Sequence, residues 1–300
     1  MRDHGSRATL PGMTRYIAAY DTEMSSLRRP RPDVPSCLDA CRRIVEVHRR
    51  HGMPATFFIV GRLLEESPEE FRSLLDDPLF EVASHSYSHK LLRDHPVCGP
   101  AASMPEIREE ILRGKETVER VFPGPCLGLR PGCGFSDGLK GAPELLSIIA
   151  EAGFRYVSSQ LWGADYSLPA PLNEPFTYSG DGFPALRELP AHGWHENLLK
   201  GNNRVFGMGA MRAVLFPCPF PGAVPPGFVT TPEEELRHNN RFFIDLAASG
   251  GSSYVSLIWH PWSLALFDPP MRMLEETFRY VREKGLDATT FGQLASSLEP

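Results

Sequence analysis

Six polar residues stand out because each follows a short apolar run. Asp21 and Glu23 lie in "YDTE", His85 and His89 in "SHSYSH", Arg130 in "LRPG" and His260 in "LIWHP". In an extended chain residues 21 and 23 point the same way, so two carboxylates share one face where a strand ends. If the chain turns helical after residue 84, His85 and His89 at i and i+4 also share a face. Two histidines and one carboxylate make a tripod that suits Zn2+ and leaves a position open for water. Water on such an ion has a pKa of roughly 7. The second carboxylate is then free to take the water's proton, and a nearby arginine would hold it ionised and oriented. A separate histidine could protonate a leaving group. The set fits metal-assisted hydrolysis of an amide or ester.

These residues need a scaffold that gathers strand ends, and the sequence pattern supplies one. "RYIAAYD" (15–21), "ATFFIVG" (55–61), "FEVAS" (80–84), "CLGLRPG" (126–132), "FRYVSS" (154–159), "ALRELPAH" (185–192) and "SYVSLIWHP" (253–261) have strand character. Between them lie helical stretches at 36–52, from Ser67, from Ser103, near 140–152, from Thr231 and over "DPPMRMLEETFRYVREKG". The starts at Ser67, Ser103 and Thr231 each carry a glutamate three positions on, the pattern of a capping box. Alternating apolar strands and helices indicate a parallel α/β fold with helices outside. Seven or so units favour a barrel over an open sheet. In such folds chemistry gathers at the C-terminal ends of the strands, which is where all six residues fall.

The chain has 300 residues with 42% hydrophobic content, enough to bury a core without disulfides or a structural metal. Its formal net charge is −6 and it has no basic tract, which argues against a nucleic-acid partner. No apolar run reaches the roughly 18 residues of a membrane span, and the N-terminus lacks an apolar signal region. A cytoplasmic location is therefore expected. Six cysteines without a CxxC pair are expected to be free thiols. Residues 1–13 are polar and are expected to be a disordered leader, with 14–300 forming one domain. Within it, residues 161–232 hold 11 of the 29 prolines and break the strand–helix rhythm. A segment of that length is expected to be functional or lightly structured.

"YDTE", "SHSYSH", "LRPG" and "LIWHP" resemble, in order, the motifs of the polysaccharide deacetylase family, the NodB-homology domain of carbohydrate esterase family 4. The resemblance runs from about Tyr16 to the C-terminus. It implies a distorted (β/α) barrel of about seven parallel strands, a single divalent metal, and hydrolytic removal of an acyl group from an N-acetylated sugar or polysaccharide. Residue by residue it implies Asp21 as base, Glu23, His85 and His89 as metal ligands, Arg130 as tether of Asp21, and His260 as general acid. The first motif resembles the branch with Asp-x-Glu rather than Asp-Asp. In the fourth motif the family commonly uses an aspartate to orient the acid histidine. This chain offers Gln160 there, with Asp165 and Trp162 as substitutes.

Trp162, Trp194 and Trp262 are candidate substrate-binding residues, since aromatic rings stack on sugar faces. His192 and His195 in "LPAHGWHEN" are more simply structural. Two other readings remain open. One is hydrolysis of a small non-sugar amide, a C–N bond reaction of allantoinase type. The other is a non-catalytic glycan-binding module that keeps the metal tripod. No partner other than a carbohydrate or another small acylated substrate is implied.

Overall fold

The structure is a computed structural model that describes residues 14–24, 36–200 and 229–298. The expected leader at 1–13, Cys218 and much of the Pro-rich stretch lie outside the described residues. Among the described residues ten strands form one sheet: β1 Arg15–Thr22, β2 Ala55–Ile59, β3 Phe80–Ser84, β4 Gly128–Leu129, β5 Tyr156–Val157, β6 Phe176–Tyr178, β7 Phe183–Glu188, β8 His192–His195, β9 Tyr254–Trp259 and β10 Asp287–Ala288. The hydrogen-bonded order is β6-β7-β5-β4-β3-β2-β1-β9-β8, with β10 pairing the start of β1. All pairs are parallel except β6 with β7.

The ends of this order are joined by the chain itself. Only Leu189, Pro190 and Ala191 separate β7 from β8. One extended run thus pairs first with β5 and then with β9. The curled sheet has seven staves: β1, β2, β3, β4, β5, the β7–β8 run, and β9. This agrees with the distorted barrel of about seven parallel strands. The antiparallel β6 and the bridge at Ala170–Gly193 lie within the Pro-rich stretch. That stretch therefore contributes structure to the barrel wall.

Side-chain alternation along β1 sets the two faces. Tyr16, Ala18 and Tyr20 join the large core between sheet and helices. Ile17 and Ala19 join Phe58, Ala83, Tyr156, Leu189, Tyr254 and Phe291 in a second core. Asp21 and Glu23 continue the Ile17–Ala19 face by period two, so they stand above that inner core at the strand's C-terminal end.

The helices begin where the caps predict, although one cap bond is missing and one helix is interrupted. Ser36 caps Cys37–His51, which ends at Gly52 with φ of 53°. The Ser103–Glu106 and Thr231–Glu234 capping boxes form. Ser67 does not cap, because it sits at the junction of two helices, Gly61–Glu66 and Pro68–Leu75, and its side chain makes no capping bond. The helix expected from Thr231 is interrupted. Pro232–Glu235 passes into a π-helical turn, Leu236–Arg241, before Phe242–Gly250.

Candidate active site

At the C-terminal ends of β1, β3, β4 and β9 the six residues meet. Glu23 Oε2 lies 2.8 Å from His89 Nε2 and 3.9 Å from His85 Nε2. Among the described residues these three form a group able to hold a metal ion, with donor atoms all within 4.8 Å of one another.

The two histidines converge by a route other than the helix expected from their spacing. Residues 85–89 are loop, with Ser86 at φ of 59° and His89 at 65°. A left-handed histidine is uncommon and needs support. The Ser86 hydroxyl accepts the His89 backbone N–H at 3.1 Å. Glu110, buried on helix Met104–Val121, accepts the Ser88 N–H at 2.7 Å and the Ser88 hydroxyl at 2.5 Å. Glycine lets neighbours approach: a Cβ on Gly132 would stand 2.8 Å from His89 Cε1.

The protonation of His85 follows from its partner. Its Nδ1 lies 2.7 Å from the Arg130 carbonyl, which can only accept. Nδ1 therefore carries the hydrogen and Nε2 presents its lone pair toward Glu23 and His89. This is the second contact typical of a metal-ligating histidine. Burial also pushes the His85 pKa down to about 4, which favours the neutral ring. Burial acts the same way on His89, but the Glu23 charge outweighs it and raises the value. Burial would raise Glu23; His89 beside it holds the carboxyl down at about 2. The donor set, the tautomer of His85 and the short separations fit a divalent cation.

Asp21 sits on the inner face of β1, 2.6 Å from an Arg130 guanidinium nitrogen. Arg130 is fully buried; its other terminal nitrogen donates to Ser158 Oγ at 2.9 Å, and its guanidinium lies 4.2 Å from the Phe58 ring centre. Burial would raise the Asp21 pKa, but Arg130, with His85 and His260, holds it well below the usual carboxylate range. Across the cleft, His260 Nε2 lies 3.6 Å from Glu23 Oε1.

What orients His260 is Glu196, a residue the sequence did not single out. Glu196 Oε1 accepts the His260 backbone N–H at 2.8 Å and pairs with Nδ1 at 3.0 Å. Glu196 follows β8 directly and His260 follows β9, so the pairing of these two strands brings together residues 64 apart in sequence. Gln160 cannot do this: its amide nitrogen donates to the Ser136 carbonyl. Asp165 lies on the exposed 164–166 turn. The strand expected at 185–192 ends four residues before Glu196, whereas the observed β8 runs on to His195, so the signal that marked Glu23, a carboxylate just after a strand, was hidden by the strand's expected end. Burial opposes protonation of His260, yet the Glu196 hydrogen bond and the Glu23 charge raise its pKa to about 9.

The remaining candidates separate clearly. Trp162 lines a cavity of about 170 Å3 beside Asp21, Glu23, His89 and His260. Val97, Cys98, Cys133, Leu161 and Leu198 give it an apolar wall. Trp194 and Trp262 are fully buried and are not among the residues that line that cavity. His192 uses both ring nitrogens, one toward Asn173 O and one toward Ser256 N, and is structural. His195 lines the cavity with Nε2 donating to Leu161 O. Cys98 and Cys133 form a disulfide across the cavity rim. This corrects the free-thiol expectation for that pair, which distant sequence positions could not reveal. Cys37, Cys41 and Cys126 are free and buried. No described helix is long and apolar enough to cross a membrane.

Residues 33–157 match the family described as polysaccharide deacetylase. That segment contains His85, His89 and Arg130. A chitooligosaccharide deacetylase of Bradyrhizobium sp. (strain ANU 289) is 30% identical over 80 residues, which is 27% of this chain and 33% of that protein. The chain thus spans a third of the curated relative it matches. A Mycobacterium smegmatis protein provisionally named a polysaccharide deacetylase has TM-score 0.64 at 21% identity, covering 97% of this chain and 92% of its own. An allantoinase has TM-score 0.61 at 12% identity, covering 94% and 88%. At these identities both structures show a shared fold.

Proposed function

We propose that this chain, which carries a polysaccharide deacetylase family segment at residues 33–157, is a metal-dependent hydrolase that removes an acyl group from an N-acetylated sugar. The observation that carries this reading is the arrangement around the Glu23–His85–His89 tripod. Asp21 tethered by Arg130 and His260 held by Glu196 both border the cavity that the tripod faces. A site for metal alone would need neither of the two flanking groups. This speaks against a non-catalytic glycan-binding module.

Glu23, His85 and His89 would hold the ion, and Zn2+ is the first candidate for two imidazoles and one carboxylate. The ion would supply Lewis acidity and an activated water at neutral pH. Asp21, kept ionised by Arg130, accepts the water's proton. His260, kept protonated by Glu196, delivers a proton to the departing nitrogen, and its Nε2 is the atom that faces the cleft. The apolar wall of Leu161, Trp162 and Leu198 takes the acyl group and excludes water from it.

A small non-sugar amide is the second reading, favoured by the small volume of the cavity, about 170 Å3, bordered by Val97 and the disulfide. A cytoplasmic location would require the Cys98–Cys133 bond to persist among reducing thiols; such bonds are commoner in oxidising compartments. The deciding experiment is acetate release from chitooligosaccharides by metal-loaded protein, with chelator and with allantoin as the competing substrate. Release abolished by chelator supports the sugar deacetylase. Turnover of allantoin alone supports the second reading, and turnover of neither removes both.

A further inference from the structure

Behind Glu196 lies a chain of buried charges that the catalytic scheme leaves unused. Glu196 Oε2 accepts from Ser263 Oγ at 2.6 Å and from Lys200 Nζ. Lys200 Nζ lies 3.0 Å from Glu235 Oε2 and 3.4 Å from Ser263 Oγ. Glu196, Lys200, Glu235 and Ser263 have no solvent exposure. Glu196 and Lys200 stand one turn apart, at the start and the C-terminal cap of the short helix Glu196–Leu199 after β8, and Glu235 comes from the junction of Pro232–Glu235 with the π-helical turn.

Three ionisable groups shielded from solvent are costly, and apolar residues of similar volume commonly stabilise a core as well or better. A purely structural role therefore leaves the arrangement unexplained. Its location explains it. One Glu196 oxygen is committed to His260, through both the backbone N–H and Nδ1. The other is fixed by Lys200 and Ser263, so the carboxylate cannot rotate away from the imidazole. Lys200 is in turn fixed by Glu235. Ser263 stands on the helix that His260 begins, Pro261–Phe267, which locks the support to the same backbone as the histidine.

We propose that Lys200 and Glu235 are positioning residues for His260: Lys200 fixes the Glu196 carboxylate against the imidazole, and Glu235 fixes Lys200. Neither touches substrate. Both act on where the proton-donating Nε2 points. The proposal rests on the hydrolase reading for its kinetic consequences and on geometry alone for its spectroscopic one.

The test compares four full-length, zinc-loaded proteins: the natural sequence, K200R, K200M and the double variant K200M/E235Q. K200M leaves two buried carboxylates without their cation; the second substitution removes one of them. The substrates are an N-acetylated chitooligosaccharide and an aryl acetate whose leaving group needs no proton. For K200M we expect kcat on the amide to fall about 10- to 100-fold, the cost of a small misplacement of a reacting group. KM, zinc content and the ester rate stay near those of the natural protein. The double variant should regain melting temperature while kcat on the amide stays low, and K200R should regain part of kcat. Recovery of kcat together with melting temperature in the double variant overturns the proposal, as do equal losses on amide and ester.

If the natural protein turns over neither substrate, the function proposed above fails while the positioning proposal is still decided by NMR. The hydrogen-bonded His260 Nδ1 proton, identified by its loss in H260A, should be present in the natural protein and lost or shifted in K200M. An unchanged resonance in a folded K200M overturns the proposal regardless of activity.

Discussion

His260 Nδ1 and Glu196 Oε1 stand 3.0 Å apart at the ends of two adjacent parallel strands, with the imidazole's other nitrogen turned toward Glu23. The pairing fixes both which nitrogen faces the cleft and how long it keeps its proton. The His260 pKa is raised above its ordinary value, to about 9. The protonated ring therefore persists through neutral pH and is lost only as pH rises through the raised value.

The first prediction follows from that sign. The alkaline limb of kcat/KM should report His260. A cation held by Glu23 neutralises part of the charge that raises the pKa, so the limb of the metal-loaded enzyme should fall below about 9. Glu196→Gln removes a second part and should move the limb further down, with zinc content unchanged. A pH–rate profile measures this. A limb indifferent to Glu196→Gln would mean that another group donates the proton.

The second prediction concerns the metal. His85 enters the site already neutral, held by the Arg130 carbonyl and by burial, whereas the pKa of His89 is raised by Glu23. A ligand must lose its proton to bind metal. Affinity should therefore weaken as pH falls through the raised His89 value. Below it, binding should release a proton that calorimetry in buffers of differing ionisation enthalpy can count. His89→Ala should abolish that release and sharply weaken binding. Glu23→Gln should also lose metal, while Asp21→Asn should keep it and stop turnover. The reverse outcome for those two carboxylates would exchange their roles.

The legible part of the site was the part written locally. Asp21 and Glu23 share a face through strand alternation. His85, Arg130 and His260 each stand at the end of a strand-like run, with His89 four residues beyond His85, and that placement carries them to one end of the barrel. Pairings across the fold were not legible. Glu196 meets His260 only because β8 and β9 are neighbours, and β8 is reached by a chain that changes partners at Leu189–Ala191. Cys98 joins Cys133 through loops after two different strands. The helical route for His85 and His89 failed because spacing alone cannot see the Glu110 carboxylate that holds Ser88 in a loop. Likewise, tryptophan content cannot distinguish a cavity wall such as Trp162 from buried packing such as Trp194.

The disulfide yields the third prediction. It ties the loop bearing Val97 and Cys98 to the segment after Arg130, on the rim of the cavity. Peptide mapping without reduction should recover residues 98 and 133 as one linked pair. The Cys98→Ser/Cys133→Ser variant should lose about 2–4 kcal/mol of stability, as is typical on removing such a bond. If the loop walls the substrate site, KM should rise more than kcat falls. Unchanged KM would place substrate away from this wall.

The last prediction isolates the close approach at Gly132. A Cβ there would lie 2.8 Å from His89 Cε1, 2.9 Å from Nε2 and 3.0 Å from Nδ1, closer than carbon and ring atoms pack. All three close contacts are with the imidazole, so the ring is the group that must shift. A shift of the ring would disturb its 2.8 Å contact with Glu23. Gly132→Ala should thus leave the barrel folded, since its atoms touch a loop histidine rather than the core. It should weaken metal binding about 10- to 100-fold, the usual cost of disturbing the residues that orient a ligand. The comparison is Gly141→Ala, at a position with no neighbour within 4 Å but a φ of +73°. That variant should lose stability through backbone strain and keep its metal affinity. Circular dichroism melts and zinc titrations of the two variants separate the effects. Full zinc affinity in Gly132→Ala would show that His89 can leave its present place without cost, and so that it is not held there as a ligand.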